Sequence, residues 1–248
     1  MKEDNYLHAQ VTEKIKKAEN QYIETHTDFL DGRQQALVTS MNKFSQDIET
    51  LFYGGYDDAE RRIFICVPLY STLEECQPLT VIRVMKTPRS RELTHRDYLG
   101  SVLGLGIKRE KIGDILVRED GADIIVLKDI SEFLLLNYTK AGRTDLSISE
   151  VPIDQLIVPE VDKKILKDTV ASLRIDTIVS SAFSLPRSKS VEAIKRGVVF
   201  VNNLEVTKVD FQISEGDKIT LRGKGKVNLI EIGGRSKKDR IYVTFEKF

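Results

Sequence analysis

Cysteine, histidine and tryptophan are scarce in this chain, and long apolar runs are missing. There are two cysteines, three histidines and no tryptophan in 248 residues. Cys66 and Cys76 are too few for a disulfide framework, and no histidine or cysteine partners lie at zinc spacing. We therefore expect free thiols, no metal and no other cofactor. Without an apolar run of about 18 residues or a signal-peptide pattern, we also expect a soluble, cytoplasmic protein with no membrane partner.

Residue patterns typical of catalysis are also missing. The glycines of segment 100–106 do not form a phosphate-binding loop, because no G-x-x-x-x-G-K-[ST] pattern is present. His8, His26 and His95 have no nucleophile or metal partner at short spacing, and the carboxylates are dispersed. These absences favour a protein that binds over one that catalyses.

The net charge of zero hides a gradient along the chain. Residues 1–78 carry 8 Lys and Arg against 14 Asp and Glu, a net charge of −6, whereas residues 79–170 carry 15 of each. Residues 171–248 carry 15 against 9, a net charge of +6. Such a positive end is either a solvated basic face or a surface for a phosphate backbone.

The length and the patterns predict an α+β protein of three domains. Residues 1–78 are expected to form an acidic accessory domain that is helical at its N-terminal end, from about residue 5 to 44, with a strand at 62–68. Thr27 or Asp28 is the expected cap of its second helix. The first helix is predicted from apolar residues at helical spacing: Leu7, Val11, Ile15, Ala18, Tyr22 and Ile23.

The pattern of residues 79–170 predicts β-α-β-β-α-β, the order of a ferredoxin-like domain. RNA-recognition domains of this topology stack bases on aromatic residues of their central strands, but the third strand, 122–127, has none. The basic loop 86–91, with His95 and Arg96, is a better candidate for RNA contact; the alternative is a solvent-exposed loop. Residues 152–170 are expected to be a connector that is partly helical.

Residues 171–248 contain two expected helices followed by strands. An apolar stripe follows Leu173-Arg174-Ile175-Asp176, and the break at 180–186 separates it from a second helix that begins near Ser188 and ends at Gly197. Asn202-Asn203 predicts a tight hairpin turn. Two further strands, 227–232 and 241–245, flank the basic, Gly-rich loop 233–240, which either orders on RNA or stays mobile.

The segment from Leu173 to Lys226 resembles the S4 RNA-binding domain. Three features of that domain recur in order: the Arg-apolar-Asp start, a Ser- and Arg-rich second helix closed by Gly197, and Val199-Phe200-Val201-Asn202 followed by Gly216-Asp217. The sequence departs from many S4 domains at Asn203, where a glycine is common, and this alters the turn. The resemblance implies two short cationic helices beside a small sheet, which suit a folded RNA backbone.

The order of the three domains is similar to that of the YlmH family of Gram-positive bacteria and cyanobacteria. The resemblance extends over essentially the whole chain and is most specific at 52–56 (Phe-Tyr-Gly-Gly-Tyr), 95–100, 106–114 and the S4 core. It implies a non-enzymatic protein of the large (50S) ribosomal subunit that binds ribosomal RNA and peptidyl-tRNA during rescue of a stalled nascent chain. Partner proteins in rescue or in cell division are a further implication.

The candidate RNA-binding residues come from the S4-like segment and from the basic loop. Arg174 matches the arginine of the S4 motif, and Arg187 matches the one that opens the second helix. The full set is Arg89, Arg91, Arg96, Arg174, Arg187, Ser188, Lys189, Lys195, Arg196, Asn202 and Lys208.

Three alternatives remain open at the level of sequence. Gly142-Arg143-Thr144-Asp145 superficially resembles the catalytic motif of pseudouridine synthases, although too few residues surround Asp145 for that catalytic fold. A scaffold of the cell-division machinery is implied only by the label that the family carries. The aromatics of segment 52–56 either stack a base or pack at a domain seam.

Overall fold

The computed structural model describes residues 2–41, 48–88, 90–159 and 163–247. The chain divides into two compact units, residues 1–159 and 160–248. The three-domain division at 78 and 170 stays a prediction.

The first part of unit one pairs two helices with a small antiparallel sheet. The elements are α1 (Lys2–Gln21), β1 (Thr25–His26), α2 (Gly32–Thr39), β2 (Ile48–Tyr53), β3 (Ile63–Pro68) and α3 (Leu73–Cys76), and the strand order is β1-β3-β2. The buried face of α1 carries Leu7, Val11, Ile15 and Ala18, as its spacing predicts.

Two expectations for this region are wrong. Tyr22 and Ile23 do not extend the apolar stripe, because α1 ends at Gln21 and both side chains are exposed. The cap of α2 is Asp31, whose side chain accepts a hydrogen bond from the Gln34 N–H at 2.8 Å. Thr27 cannot serve there because its hydroxyl accepts the N–H of Phe64 at the sheet. Residues 42–44 of the expected helical stretch lie outside the described residues.

The second part of unit one has the predicted ferredoxin-like topology. Its elements are β4 (Leu79–Lys86), α4 (His95–Gly104), β5 (Ile112–Val117), β6 (Gly121–Leu127), α5 (Ser131–Asn137), β7 (Lys140–Ala141) and β8 (Thr144–Val151). The sheet is antiparallel in the order β5-β6-β4-β8-β7, so the first and third main strands lie side by side at its centre. The second helix, α5, is short and is preceded by a 3₁₀ turn at Lys128–Ile130.

The two faces of this sheet are covered by different parts of the chain. One face packs against α4 and α5 through Ile82, Ile124 and Val126. On the other face, Ile125 and Leu127 pack in one cluster with Phe29, Ile63 and Ile65 of the first part. Gly113 leaves room for the Phe29 ring, which would lie 2.7 Å from a Cβ at that position. This face would be the base-stacking platform of an RNA-recognition domain, and it is buried here.

The Phe-Tyr-Gly-Gly-Tyr segment lies at the seam between the two parts. Tyr56 donates its hydroxyl to Asp114 at 2.9 Å, and the same carboxylate accepts the N–H groups of Glu60 and Arg61. Arg61 extends the seam by donating to the carbonyls of Phe29 and Ile112. Of the two interpretations of these aromatics, the structure supports packing at a seam.

Unit two is one six-stranded sheet with two helices. Its elements are β9 (Lys164–Val170), α6 (Ile175–Ala182), α7 (Arg187–Lys195), β10 (Val199–Val201), β11 (Leu204–Glu205), β12 (Lys218–Leu221), β13 (Gly225–Arg235) and β14 (Ile241–Lys247). The strand order is β11-β10-β12-β13-β14-β9, and α6 buries Ile175, Ile178, Val179 and Ala182 in its core. Asn202 and Asn203 have φ of 50° and 66°, as a tight hairpin turn requires.

Of the expected partly helical connector 152–170, Ile153–Gln155 is a 3₁₀ helix, whereas Lys164–Val170 is a strand. Every residue of β9 pairs with β14, from Lys164 with Lys247 to Val170 with Ile241. The strand is hard to recognise in the sequence because it lies at the edge of the sheet and five consecutive residues, 164–168, are exposed. Only Val170 at its end is buried.

Candidate RNA-binding surface

The N-terminal ends of α6 and α7 meet at one buried carboxylate. Asp176 is 1% exposed and lies in the first turn of α6. Its Oδ1 accepts from Nε of Arg174 at 3.1 Å, and its Oδ2 accepts from Nε of Arg187 at 2.8 Å. Nη2 of Arg187 also lies 2.8 Å from Oδ2, so the contact with Arg187 uses two nitrogens. Asp176 thereby fixes the positions of both arginines.

The electrostatics of this cluster leave positive charge at the surface. Burial acts to raise the pKa of Asp176, but hydrogen bonds from Arg174 and Arg187 outweigh it and hold the pKa below its ordinary value. The carboxylate is therefore ionised at neutral pH, and two guanidinium groups against one carboxylate give a net charge of +1. The arginine side chains remain 38% and 61% exposed, so their outer N–H groups can bind an anion.

The start of α7 adds donors beside these arginines. Its N-cap is Pro186, with no side-chain hydrogen bond to the first turn, and Arg187 and Ser188 are its first exposed residues. The first N–H groups of a helix have no intrahelical partner and attract anions such as phosphate. Arg174, Arg187 and Ser188 thus lie together, and the arrangement suits a phosphate oxygen.

The other cations of α7 are held less firmly. Glu192 pairs with Lys189 at 2.9 Å and approaches Arg196 at 3.9 Å, and all three side chains are at least half exposed. Lys189 lowers the pKa of Glu192. Lys195 and Lys208 are exposed. These lysines and Arg196 can add to the positive potential. Among the RNA-binding candidates that the structure describes in unit two, Arg174 and Arg187 are the ones fixed by a buried carboxylate.

Asn202 uses its side chain inside the fold. Its Nδ2 donates to Asp217 at 2.7 Å, and its Oδ1 accepts the N–H of Lys218 at 3.0 Å. The nitrogen and the oxygen of this side-chain amide thus connect the β10–β11 turn to the start of β12. RNA contact by Asn202 stays a prediction.

The candidates of the basic loop belong to unit one and not to the S4-like unit. Arg91 donates to Asp97 at 2.6 Å, and Asp97 also accepts the N–H of its helix cap, Thr94, at 2.8 Å. The Asp97 pKa lies well below its ordinary value, chiefly because of Arg91. Arg96 is exposed, and Arg89 lies outside the described residues. RNA contact here stays a prediction.

Sequence reasoning missed Asp176 as a positioning residue. The Arg-apolar-Asp motif pointed to it, because that spacing places an acid in the first turn of α6. What the sequence does not contain is the return of the chain that brings Arg187 to the same carboxylate, 11 residues later.

Other kinds of site are absent from the described residues. No group of three or more His, Cys, Asp or Glu side chains in this part of the chain could hold a metal ion. Both cysteines are free. Cys66 is buried, which raises its thiol pKa to about 11, whereas Cys76 is half-buried. None of the described helices is both long and apolar enough to span a membrane.

The fold and the cationic helix ends define a protein in which an S4 domain follows a ferredoxin-like domain along the chain. Family comparison agrees: residues 173–219 match the S4 domain model, and residues 77–155 match the model described as "Putative RNA-binding domain in YlmH". The α+β class and the S4 domain are confirmed.

Two proteins show which family this is. Ribosome-associated protein quality control protein P2 of Bacillus subtilis (strain 168) is 37% identical over 230 residues, which cover 92% of this chain and 89% of that protein. The solved structure of cell division protein ylmH from Streptococcus pneumoniae is similar with a TM-score of 0.50 and 26% identity, over 62% of this chain and 95% of that one. The chain belongs to the YlmH family.

Proposed function

We propose that this protein is a non-enzymatic RNA-binding protein that acts in the cytoplasm on the large ribosomal subunit, in quality control of stalled peptidyl-tRNA complexes. The observation that carries the proposal is the pair Arg174 and Arg187, fixed by buried Asp176 at the open start of α7. Ribosomal RNA and tRNA are the proposed ligands, and their phosphates are the groups bound.

The chemistry of the surface favours backbone contact over base reading. The guanidinium groups of Arg174 and Arg187, the ammonium group of Lys189 and the first N–H groups of α7 are all hydrogen-bond donors. A phosphate oxygen accepts hydrogen bonds, so the two surfaces are complementary. The sheet face that would stack bases in an RNA-recognition domain is buried in unit one, so it offers no competing mode of recognition. Residues 171–248 carry a net charge of +6, which favours association with a polyanion.

The ribosome enters the proposal through the relative from Bacillus subtilis. That protein is named for ribosome-associated quality control, and it aligns with 92% of this chain. The model that matches residues 77–155 is described as a putative RNA-binding domain, and residues 173–219 match the S4 domain model. The 50S subunit and the peptidyl-tRNA are the finer part of the proposal.

The pseudouridine synthase alternative gains no support from Asp145. Its side chain is 70% exposed and pairs with Lys140 at 3.2 Å across the β7–β8 hairpin. Gly142, with φ of 60°, lies in the turn of that hairpin. Segment 142–145 is therefore a tight turn followed by a strand, and its aspartate is in open solvent.

A division scaffold is the second candidate function, favoured by the name of the Streptococcus pneumoniae structure. The net charge of −6 in residues 1–78 offers a surface for a basic protein partner. Affinity purification of the full chain separates the candidates. Septal proteins without ribosomal subunits would favour the scaffold.

The test is binding of the purified chain to large subunits that carry peptidyl-tRNA, followed by sedimentation. We expect Arg174→Ala with Arg187→Ala to weaken binding by about 1–3 kcal/mol, which is about 5- to 150-fold in Kd. The control removes two exposed cations of unit one, Arg33→Ala with Lys128→Ala. Equal binding by the arginine variant and the parent chain would overturn the site, and failure of the parent chain to bind any subunit would overturn the function.

A further inference from the structure

A long β-hairpin follows the segment that matches the S4 model. That match ends at residue 219, whereas β13 and β14 occupy Gly225–Arg235 and Ile241–Lys247. One extra residue of β13 is accommodated between Ile232 and Arg235, where Gly233 and Gly234 form a bulge. Gly233 suits this position because a Cβ there would lie 3.1 Å from Cβ of Tyr242.

The tip of this hairpin is closed by its own hydrogen bonds. The N–H of Ser236 donates to the Arg240 carbonyl at 2.7 Å, and the N–H of Asp239 donates to the Ser236 carbonyl at 2.9 Å. The Ser236 hydroxyl accepts the N–H of Arg240 at 3.2 Å. The basic loop 233–240 therefore has a defined conformation without a ligand.

Two of its four cations are used within the fold. Arg235 pairs with Asp239 at 2.7 Å. Arg240 donates to the hydroxyl of Thr169 at 2.9 Å and also to its carbonyl, which anchors the tip to β9. Lys237 and Lys238 are exposed at the turn between them. The tip thus presents two adjacent ammonium groups on a fixed support.

The tip is close to the proposed arginine site along the chain. Thr169, which binds Arg240, precedes Arg174 by five residues. Because an extended chain advances by about 3.5 Å per residue, the Cα atoms of Thr169 and Arg174 are separated by at most about 18 Å. A single folded RNA can therefore contact the tip and the ends of α6 and α7 together.

We propose that Lys237 and Lys238 at the tip of the β13–β14 hairpin form a second contact with the phosphate backbone of the RNA that binds at Arg174 and Arg187. The proposal rests on the proposed function and deepens it. Two separated contacts on one RNA raise the overall affinity, because the second contact forms intramolecularly.

The experiment measures Kd of the full chain for large subunits that carry peptidyl-tRNA. Lys237→Ala with Lys238→Ala is expected to raise Kd by about 3- to 20-fold and to make log K less steep against log salt by about 1.5. Lys237→Arg with Lys238→Arg keeps the charge and is expected to bind within about twofold of the parent chain. Thermal unfolding of each variant checks that the fold is retained.

The matched control removes two exposed lysines of the same unit, Lys164→Ala with Lys224→Ala, which lie near the other ends of β9 and β13. An equal loss in both double variants would show an unspecific charge effect and overturn the proposal. Parent-like binding by the tip variant would also overturn it, and a loss on Arg174→Ala with Arg187→Ala would then leave the proposed function standing. If neither the tip variant nor Arg174→Ala with Arg187→Ala changes Kd, both proposed phosphate contacts fall, whereas failure of the parent chain to bind any subunit would overturn the proposed function.

Discussion

A buried aspartate between two arginines occurs in each unit of this protein, with opposite consequences for the arginines. In unit one, Asp123 of β6 is fully buried and binds Arg83 at 2.8 Å and Arg118 at 2.6 Å. In unit two, Asp176 binds Arg174 and Arg187 at comparable distances. The arginines of Asp123 are only 20% and 12% exposed, whereas those of Asp176 are 38% and 61% exposed.

The difference follows from what lies over each carboxylate. Asp123 faces Arg83 across two paired strands, and the segment after β8 crosses it, with the N–H of Ile157 donating to Asp123 and Arg83 donating to the Gln155 carbonyl. Asp176 lies at the open ends of two helices. The same ion cluster thus stabilises a sheet in one unit and presents cations to solvent in the other.

The largest expected effect concerns Asp123. Asp123→Ala removes the buried carboxylate from two largely buried arginines, of which Arg118 keeps only the exposed Asp120 at 3.1 Å. We expect a loss of about 3–5 kcal/mol in the unfolding free energy of unit one. Urea denaturation measures this, with Asp145→Ala as the control because that aspartate is exposed and pairs with an exposed lysine outside the cluster. RNA affinity of the folded variant should match the parent chain. A loss below about 1 kcal/mol would contradict the structural role.

Asp176→Asn is expected to act mainly on binding. The arginines remain but lose the charge that orients them, so we predict an affinity loss of about 1–2 kcal/mol for RNA, with a smaller change in stability than at Asp123. Sedimentation with large subunits and urea denaturation on the same samples measure both. If Asp176→Asn were destabilised as strongly as Asp123→Ala and kept its RNA affinity once folded, Asp176 would have the same purely structural role as Asp123.

The pH dependence of stability tests whether the two buried aspartates are ionised in the folded protein. The arginines hold the pKa of Asp123 and of Asp176 below the ordinary 3.8, against the opposing effect of burial. Because a depressed folded-state pKa stabilises the fold above the unfolded value, this contribution is present at neutral pH and is lost as pH falls through the folded values. Asp123→Asn should flatten the acid limb of the stability curve, as unfolding at several pH values will show. An unchanged limb would contradict this.

The smallest expected effect concerns Glu192. Glu192→Gln removes an exposed carboxylate that pairs with Lys189 and approaches Arg196. Exposed pairs contribute little to stability, so we expect unchanged unfolding and an RNA affinity that rises by less than about threefold. Sedimentation with large subunits measures it. Weaker binding would mean that Glu192 positions Lys189 for RNA.

The sequence predicted the parts of the fold whose signals are local. The β-α-β-β-α-β pattern predicted the sheet of β4, β5, β6 and β8. Asn202-Asn203 predicted the tight turn between β10 and β11. The strand β9 was missed because its partner, β14, is about 75 residues away and its exposed edge shows no alternation. The cap of α2 was missed because Thr, Asn and Asp side chains can all cap a helix, and the sequence does not show that the Thr27 hydroxyl instead accepts the N–H of Phe64 in the sheet.

The sequence predicted which cations form the candidate site, but it did not predict how those side chains are positioned relative to one another. Arg174 and Arg187 were identified from the S4 motif, and the structure brings them to one carboxylate. The predicted role of Asn202 rested on its place in the motif, whereas hydrogen bonds to Asp217 and Lys218 use its amide. Which cations are fixed and which are loosely paired depends on contacts that only the folded chain creates.

The most direct test of the central claim is the salt dependence of binding to large subunits with peptidyl-tRNA, for the parent chain and for Arg174→Ala with Arg187→Ala. Each phosphate contact contributes about 0.7–0.9 to the slope of log K against log salt. We predict that the variant binds with a slope that is less steep by about 1.5, and that the Arg33→Ala with Lys128→Ala control keeps the parent slope. Parallel lines for the parent chain and the arginine variant would contradict phosphate binding by these two residues.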